Sequence, residues 1–467
     1  FGDEGSWRLM VITVLASLGL LGHMVLKHVV QDRLSDRGNG FSAKRYLVGV
    51  DRFMTKIRLA IVLPVMLVVG LLVYIIIDIA IDRPRNLVSL GGMVFFVAVL
   101  FIFSHNPSKV QWRAVFWGMA LQLIFALLIL RTSWGRDAFQ WLGDRISEFL
   151  AYTDEGSKFV FGDLYINHFF AFKVLPVVVY FSTCVSILYY LGVMQVIIKY
   201  LGMFLCFCLG TSPTESVNAA ANIFLGQTEA PLMIRPFLSE MTKSEMHAVM
   251  TGGFATIAGA VMAAYIVYGV PANHLLSASV MSAPAALAVS KLFYPETETS
   301  KHKARDVYNI AKGTERNLIE AASNGASMSI KLVANIAVNL IAFVALLQFV
   351  NATLVWLGDR VGYDGLTFQL ICSYIFWPLA FLMGADQDDC RVIAQLIGTK
   401  TFLNEFVARS VVIATYALCG FSNLSSMGIQ LGALGAMAPH RKSDMSKIVF
   451  RAMLAGNVAC FVTACIA

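Results

Sequence analysis

Runs of about twenty apolar residues with almost no charge recur along the whole chain, and no other feature constrains its fold more. They lie near 9–26, 59–80, 87–104, 114–130, 172–194, 247–270, 274–294, 332–350, 367–384, 411–437 and 447–466. A hydrocarbon core about 30 Å thick takes roughly 20 helical residues to cross. Unpaired backbone groups are too costly in lipid, so only helices or closed barrels span it, and these runs lack the alternation of a barrel. Composition agrees, with 58% of the 467 residues hydrophobic and 14% charged, where soluble proteins carry about a quarter charged. Disorder is excluded on the same ground. The chain is predicted to be an all-α polytopic membrane protein.

The net charge of +7 does not signal a nucleic-acid partner, because the basic residues sit in loops between the apolar runs. Segment 27–58 holds eight of them: Lys27, Arg33, Arg37, Lys44, Arg45, Arg52, Lys56 and Arg58. Short cationic loops mark the cytoplasmic face. Loop 295–316, with Lys301, Lys303, Arg305, Lys312 and Arg316, reads the same way, and Lys109 and Arg113 fit the alternation that starts from segment 27–58. Arg83 and Arg85 run against it. Phe1 is not an initiator methionine and no signal peptide precedes the first run, so the chain is expected to be trimmed at its N-terminus.

Segment 134–152 departs from the pattern. Phe139, Leu142, Ile146, Phe149 and Leu150 recur at helical spacing while Arg136, Asp144, Arg145 and Glu148 take other positions. This predicts an amphipathic helix lying along the interface. Its Trp141-Leu142-Gly143-Asp144-Arg145 returns letter for letter as Trp356-Leu357-Gly358-Asp359-Arg360, which suggests an internal repeat.

Catalytic signatures are missing. None of the eight histidines stands in an HExxH pattern, and there is no GxSxG elbow or Walker loop. The eight cysteines form no CxxC pair and lie in or beside apolar runs, so they read as small packing residues. No enzyme activity is expected. The sequon Asn351-Ala352-Thr353 closes a span and could take a glycan if lumenal, whereas Asn423-Leu424-Ser425 lies within one and is discounted.

Two stretches, 211–243 and 385–410, are apolar enough to enter the membrane but are interrupted by polar groups. In the first, Thr214 to Phe224 predicts one arm, Gly226-Gln227-Thr228-Glu229-Ala230-Pro231 breaks it, and Leu232 to Leu238 predicts the other. In the second, Val392 to Leu403 leads into Asn404-Glu405-Phe406. Each precedes a long span interrupted by small and hydroxylated residues, Gly253 to Gly259 and Gly420 to Ser426. Discontinuous helices in corresponding places of two halves point to a transporter's midplane site. The fold expected is therefore a transporter of two related halves, each a hairpin followed by a broken helix. Its divisions are 1–130 (N-terminal helices), 131–194 (interfacial helix and scaffold helix), 195–329 (first hairpin and broken helix), 330–366 (scaffold helix and interfacial segment) and 367–467 (second hairpin and broken helix).

Glu229 and Glu405 are the sharpest site candidates, since a carboxyl group deep in a bilayer is usually tied to a pathway or a ligand. The alternative is that each tip reaches water and its acid is merely solvated. Their neighbours Gln227, Thr228 and Asn404 are uncharged hydrogen-bonding groups, which suits a neutral ligand rich in hydroxyls and amides. Asn222 could cap the first arm or give an oxygen to a small cation, together with carbonyls freed at the break and with Thr256 and Ile257. Arg235 and Lys173 read as snorkelling cations. Asp386, Asp388 and Asp389 read as a solvated turn or a cation-attracting vestibule.

These motifs resemble the concentrative nucleoside transporters over nearly the whole chain. The most specific are Gly226-Gln227-Thr228-Glu229-Ala230-Pro231-Leu232, Met250 to Gly259, Asn404-Glu405-Phe406-Val407-Ala408 and Tyr416-Ala417-Leu418-Cys419-Gly420-Phe421. The resemblance implies an inverted-repeat transporter with two re-entrant hairpins, a scaffold and a transport domain: a sodium-coupled, elevator-type nucleoside importer working as a homotrimer in the plasma membrane, with uridine, cytidine and adenosine among its substrates. It implies that Gln227, Thr228 and Glu229 read the base, that Glu405, Asn423 and Ser426 hold the ribose with Phe421 nearby, and that Asn222, Thr256 and the carbonyls of Leu225 and Ile257 bind Na+. Gly226-Gln227 matches the broadly selective members. Three departures accompany it: Leu225 stands for the commoner Val, one N-terminal span of vertebrate-type members is missing before Trp7, and Ala408 meets Arg409 where the family carries a further loop. Protons could replace or join sodium; an intramembrane enzyme using the two acids, or a channel, are the readings from other classes.

Overall fold

The computed structural model of the protein describes residues 86–300, 307–308, 315–402, 416–417 and 419–467. The chain divides into two compact units, Phe1–Leu87 and Val88–Ala467, and the architecture below belongs to the second. The runs near 9–26 and 59–80, the basic segment 27–58, most of the basic loop before Glu315 and the hairpin tip carrying Asn404 and Glu405 lie outside the described residues.

Among the described residues the regular structure is entirely helical. Six helical stretches there are long and apolar enough to cross a membrane: Trp112–Arg131, Asp163–Tyr190, Lys243–Val267, Ala272–Phe293, Leu318–Arg360 and Pro439–Ile466. The first helices in order are α1 (Asn86–Ile102), α2 (Trp112–Ala126, ending in a π turn), α3 (Ser133–Ala151), α4 (Thr153–Phe161), α5 (Leu175–Tyr190) and α6 (Val193–Leu209). The amphipathic segment is α3. Thr132 caps it by accepting from the Gly135 N–H at 3.1 Å, and Trp134 and Trp141 are exposed while Leu150 is buried. The run near 172–194 resolves into α5 and the start of α6, because Gly192 takes a left-handed conformation (φ 83°) that ends one helix and begins the next.

The first re-entrant arm is α7 (Pro213–Ala221), and a 3-10 segment over Ala230–Phe237 returns from its tip. Next come α8 (Lys243–Ala255) and α9 (Gly259–Val267), two halves of one span separated at Thr256–Ala258, and α10 (Ala272–Phe293). The run near 332–350 is the middle of a much longer helix, α11 (Leu318–Arg360), of 43 residues. The remaining helices are α12 (Phe368–Ile375), α13 (Trp377–Leu382), α14 (Gln387–Phe402), α15 (Leu424–Met437) and α16 (Lys442–Ile466). The divisions expected at 194/195 and 329/330 fall inside α6 and α11. Within the run near 411–437, the described residues 419–423 are non-helical, in keeping with their glycine and serine content.

Lipid offers little hydrophobic drive between helices, so contacts here rely on small residues that let backbones approach. A Cβ on Gly325 of α11 would stand 2.6 Å from Ser186 Oγ of α5, and one on Gly118 of α2 would stand 2.5 Å from the Ala288 Cβ of α10. α8, α10 and α16 pack on one another as the buried centre. The two glycines of the repeated pentapeptide serve different ends: a Cβ on Gly143 would meet the Asn273 N of α10 at 3.0 Å, whereas one on Gly358 would meet the Tyr363 O, in the turn that closes its own helix, at 2.5 Å.

Candidate functional site

The base of the first hairpin is fixed by paired helix caps. Ser212-Pro213-Thr214-Glu215 and Thr242-Lys243-Ser244-Glu245 each form a capping box at the start of α7 and α8. The Ser212 N–H donates to Glu215 Oε1 at 2.7 Å and the Thr242 N–H to Glu245 Oε2 at 2.9 Å. Lys291, at the end of α10, locks them together. Its Nζ lies 2.7 Å from Glu215 Oε2 and 3.4 Å from Glu296 Oε2 and donates to Ser244 Oγ at 3.0 Å. Glu215 and Lys291 are fully buried, so each needs the other.

Above this base α7 ends at Ala221 and the chain turns through Asn222 to Glu229. The tip is shaped by its own acid, because Glu229 Oε2 accepts the Gly226 N–H at 3.1 Å. It is pinned to the first break, where the Gly259 N–H donates to the Phe224 O at 3.2 Å. A Cβ on Gly226 would lie 2.9 Å from that of Ala258. Within the break Thr256 and Ala258 are extended, and Thr256 Oγ1 donates to the Gly252 O at 2.8 Å. Asn222, Leu225, Thr256 and Ile257 are all buried here. Asn222 is 0% exposed, and neither Nδ2 nor Oδ1 has a hydrogen-bond partner among the described residues.

The second break crosses the end of α8. Ser422 Oγ donates to the Phe254 O at 2.8 Å, Asn457 Nδ2 of α16 to the Ser422 O at 3.1 Å and Cys460 Sγ to the Cys419 O at 2.7 Å. Gly420 is needed twice over: its φ is 139°, and a Cβ would stand 2.6 Å from the Phe254 O. Asn423 caps α15 by accepting the Ser426 N–H at 2.8 Å. Asn423 and Ser426 are buried and Phe421 half-buried.

The two breaks and the first tip therefore converge on one short segment, Gly252 to Ile257. The adjacent glycines face different partners. A Cβ on Gly252 would lie 2.8 Å from Asn222 Nδ2, whereas one on Gly253 would lie 2.6 Å from Gln430 Nε2 and 2.8 Å from Gln227 Cβ. Gln227 is buried with an unpartnered Oε1, and Thr228 and Glu229 are half-buried. Asn222 and Gln227 thus face this segment, which itself carries Thr256 and Ile257; Leu225, Thr228 and Glu229 belong to the same turn, while Phe421 and Asn423 lie on the crossing segment and Ser426 in the first turn of α15. Glu405 lies outside the described residues. Arg235 is exposed, Lys173 lies 3.5 Å from Asp154, and Asp386, Asp388 and Asp389 are exposed at the start of α14. Sequence reasoning missed Gln430, which donates from α15 to the Met250 O at 3.2 Å, and the Glu215–Lys291 lock. The paired caps were legible as S-P-T-E and T-K-S-E; nothing in the sequence linked either to Lys291.

Comparison with known proteins accords with this arrangement. Residues 91–164 match a family profile described as the Na+ dependent nucleoside transporter N-terminus, 171–271 one described as nucleoside recognition, and 274–467 the Na+ dependent nucleoside transporter C-terminus. Solute carrier family 28 member 3 of Mus musculus is 53% identical over 429 residues, 86% of this chain and 61% of its own length. Sodium/nucleoside cotransporter 2 of Mus musculus is 47% identical over 493 residues, 98% of this chain and 72% of its own. The chain spans about three fifths of the length of the member 3 relatives it matches. Among solved structures, CNTnw in an inward-facing substrate-bound state superposes with a TM-score of 0.77 at 38% identity, covering 82% of this chain and 97% of the other. A variant of CNTnw in an outward-facing state gives 0.78 at 37%, covering 83% and 98%. With its re-entrant arm, its crossing helix breaks and these matches, the chain belongs to the family of concentrative, Na+ dependent nucleoside transporters.

Proposed function

We propose that the chain imports nucleosides by coupling their entry to sodium. The observation that carries this is Asn222, a fully buried carboxamide without a hydrogen-bond partner among the described residues, beside an interrupted helix. A buried polar group left unpaired costs about 1–3 kcal/mol, and a small cation ligated by its oxygen would recover that. Thr256, whose hydroxyl proton is committed to the Gly252 O, offers its lone pairs to the same ion, and the carbonyls of Leu225 and Ile257 complete the set. The names of the relatives, sodium/nucleoside cotransporters, support sodium as the ion and nucleosides as the cargo.

In this reading Gln227, Thr228 and Glu229 read the base, and Glu405, Asn423 and Ser426 hold the ribose against Phe421. Uridine, cytidine and adenosine all fit a tip that offers Gln227 as both donor and acceptor. Sodium binding at Asn222 orders the same turn that presents Gln227, so each ligand raises affinity for the other. A neutral nucleoside entering with a cation carries net charge, gaining about 2.3 kcal/mol per 100 mV of inside-negative potential. The hairpins and broken helices move as one body past a scaffold that includes α5 and α11, the elevator step. Exposed apolar side chains of α11, Ile319, Ile341 and Phe349 among them, would meet sister protomers of a plasma-membrane homotrimer.

The test is radiolabelled uridine uptake in sodium and in choline, in cells lacking their own nucleoside transport. Accumulation above the outside concentration in sodium alone is expected. Equal uptake in both media, persisting or rising at acid pH, would replace sodium with protons; uptake that neither saturates nor concentrates would indicate a channel.

A further inference from the structure

The carboxamide of Asn222 has a companion one helical turn nearer the hairpin base. Asn218 is 0% exposed, and its Oδ1 has no hydrogen-bond partner among the described residues. Its Nδ2 reaches only the Val249 O, at 3.4 Å. Both asparagines face the same bare spot on α8, since a Cβ on Gly252 would lie 2.8 Å from Asn222 Nδ2 and 3.7 Å from Asn218 Nδ2. Residues four apart on a helix stack about 6 Å from each other along one face. The polar line continues downward to Thr214, whose Oγ1 lies 3.5 Å from Glu245 Oε1. Glu296, at the edge of the loop read as cytoplasmic, accepts from Thr242 at the same base.

A fully buried asparagine is hard to account for by packing alone, because Val or Ala fills such a site without an unpaired oxygen. Two successive orphan oxygens line one face between the Asn222 position and the hairpin base, where Glu215, Glu245 and Glu296 outnumber the cation Lys291. Two cations a helical turn apart with only neutral ligands between them would repel, so the two positions are alternatives that one ion visits in turn. We propose that Asn218 is a second, transient cation position, a way-station through which sodium leaves the Asn222 site along the α7–α8 seam toward the hairpin base. This rests on the sodium reading above.

The test uses the full chain reconstituted in vesicles, with Asn218→Leu and Asn218→Gln. Removing one oxygen that contacts a cation should slow net sodium-driven uridine uptake into sodium-free vesicles by about tenfold. Uridine–uridine exchange with equal sodium on both sides does not require the ion to leave and should be unchanged. Equilibrium binding of radiolabelled sodium should also be unchanged, and Asn218→Gln should keep most of the net rate. Net uptake equal to wild type in Asn218→Leu would overturn the proposal. Net uptake and exchange falling together, or a loss of sodium binding, would overturn it too, in favour of a role in folding or in the Asn222 site itself. If wild-type uptake is indifferent to sodium, the sodium reading fails first and is recognised separately.

Discussion

Gly252 and Gly253 stand side by side on α8 yet point, about 100° apart around the helix, at two different ligands' residues. Replacing each by alanine should therefore separate the two affinities. A Cβ at 252 would lie 2.8 Å from Asn222 Nδ2, so the carboxamide must retreat by roughly 0.7 Å to reach normal contact. A cation ligand displaced in this way costs about 1.5–3 kcal/mol, a roughly 10- to 150-fold rise in the sodium needed for half-maximal uptake. A Cβ at 253 would lie 2.8 Å from Gln227 Cβ and 3.2 Å from its Cα, so the backbone of the tip has to move. Overpacking of this kind costs about 1–3 kcal/mol, and it should appear as a roughly 5- to 100-fold rise in KM for uridine. The assay titrates sodium at fixed uridine, then uridine at saturating sodium, with surface expression measured for both variants. Linkage between the ligands will carry part of each effect to the other curve, but the larger shift should lie on opposite curves. If both substitutions chiefly raised the sodium requirement, or shifted both curves equally, the assignment of the two faces would be refuted.

Lys291→Met should destabilise the protein by about 3–5 kcal/mol, because it strands the Glu215 carboxylate. Adding Glu215→Gln should restore much of that loss, and thermal unfolding in detergent measures both; a double variant as unstable as the single would refute the lock. Thr256→Ala removes one oxygen from the cation site and should raise the sodium requirement by about tenfold, with little change in maximal uptake. An unaltered sodium curve would remove Thr256 from the site. Glu229→Gln weakens the acceptor that holds the Gly226 N–H and should cut uridine uptake severely, while sodium binding measured without nucleoside persists.

Much of this architecture can be read from the chain because interrupting a membrane helix leaves a chemical trace. Gly226 to Pro231, Gly253 to Gly259 and Gly420 to Ser426 could not continue an apolar span, and helical structure gives way at or beside each described one. The site residues are legible for the same reason, since Gln, Thr, Glu and Asn in an apolar setting need a purpose. What could not be read is which polar groups satisfy one another. Ser422 and Phe254 meet only because two breaks cross, and Gln430 sits within an ordinary-looking apolar run. The true length of α11 escapes hydropathy because its polar ends are as helical as its middle, and helix propensity does not require an apolar face. Asn218 carries no sequence signal of its own, a lone Asn in an alanine-rich stretch; its neighbours on α8 give it meaning.

The lock at the hairpin base also sets an order of events while the chain is being made. Glu215 emerges from the ribosome before Lys291, with the whole α8–α9 span between them. Until α10 arrives, Glu215 lacks the Lys291 ammonium that it meets in the folded chain, and a buried carboxylate without its partner is costly. The arm carrying Glu215 is therefore expected to wait at the aqueous surface and to enter once Lys291 is delivered beside it. A nascent chain stopped just short of α10 should leave Glu215 open to aqueous labelling, and one stopped just beyond it should not.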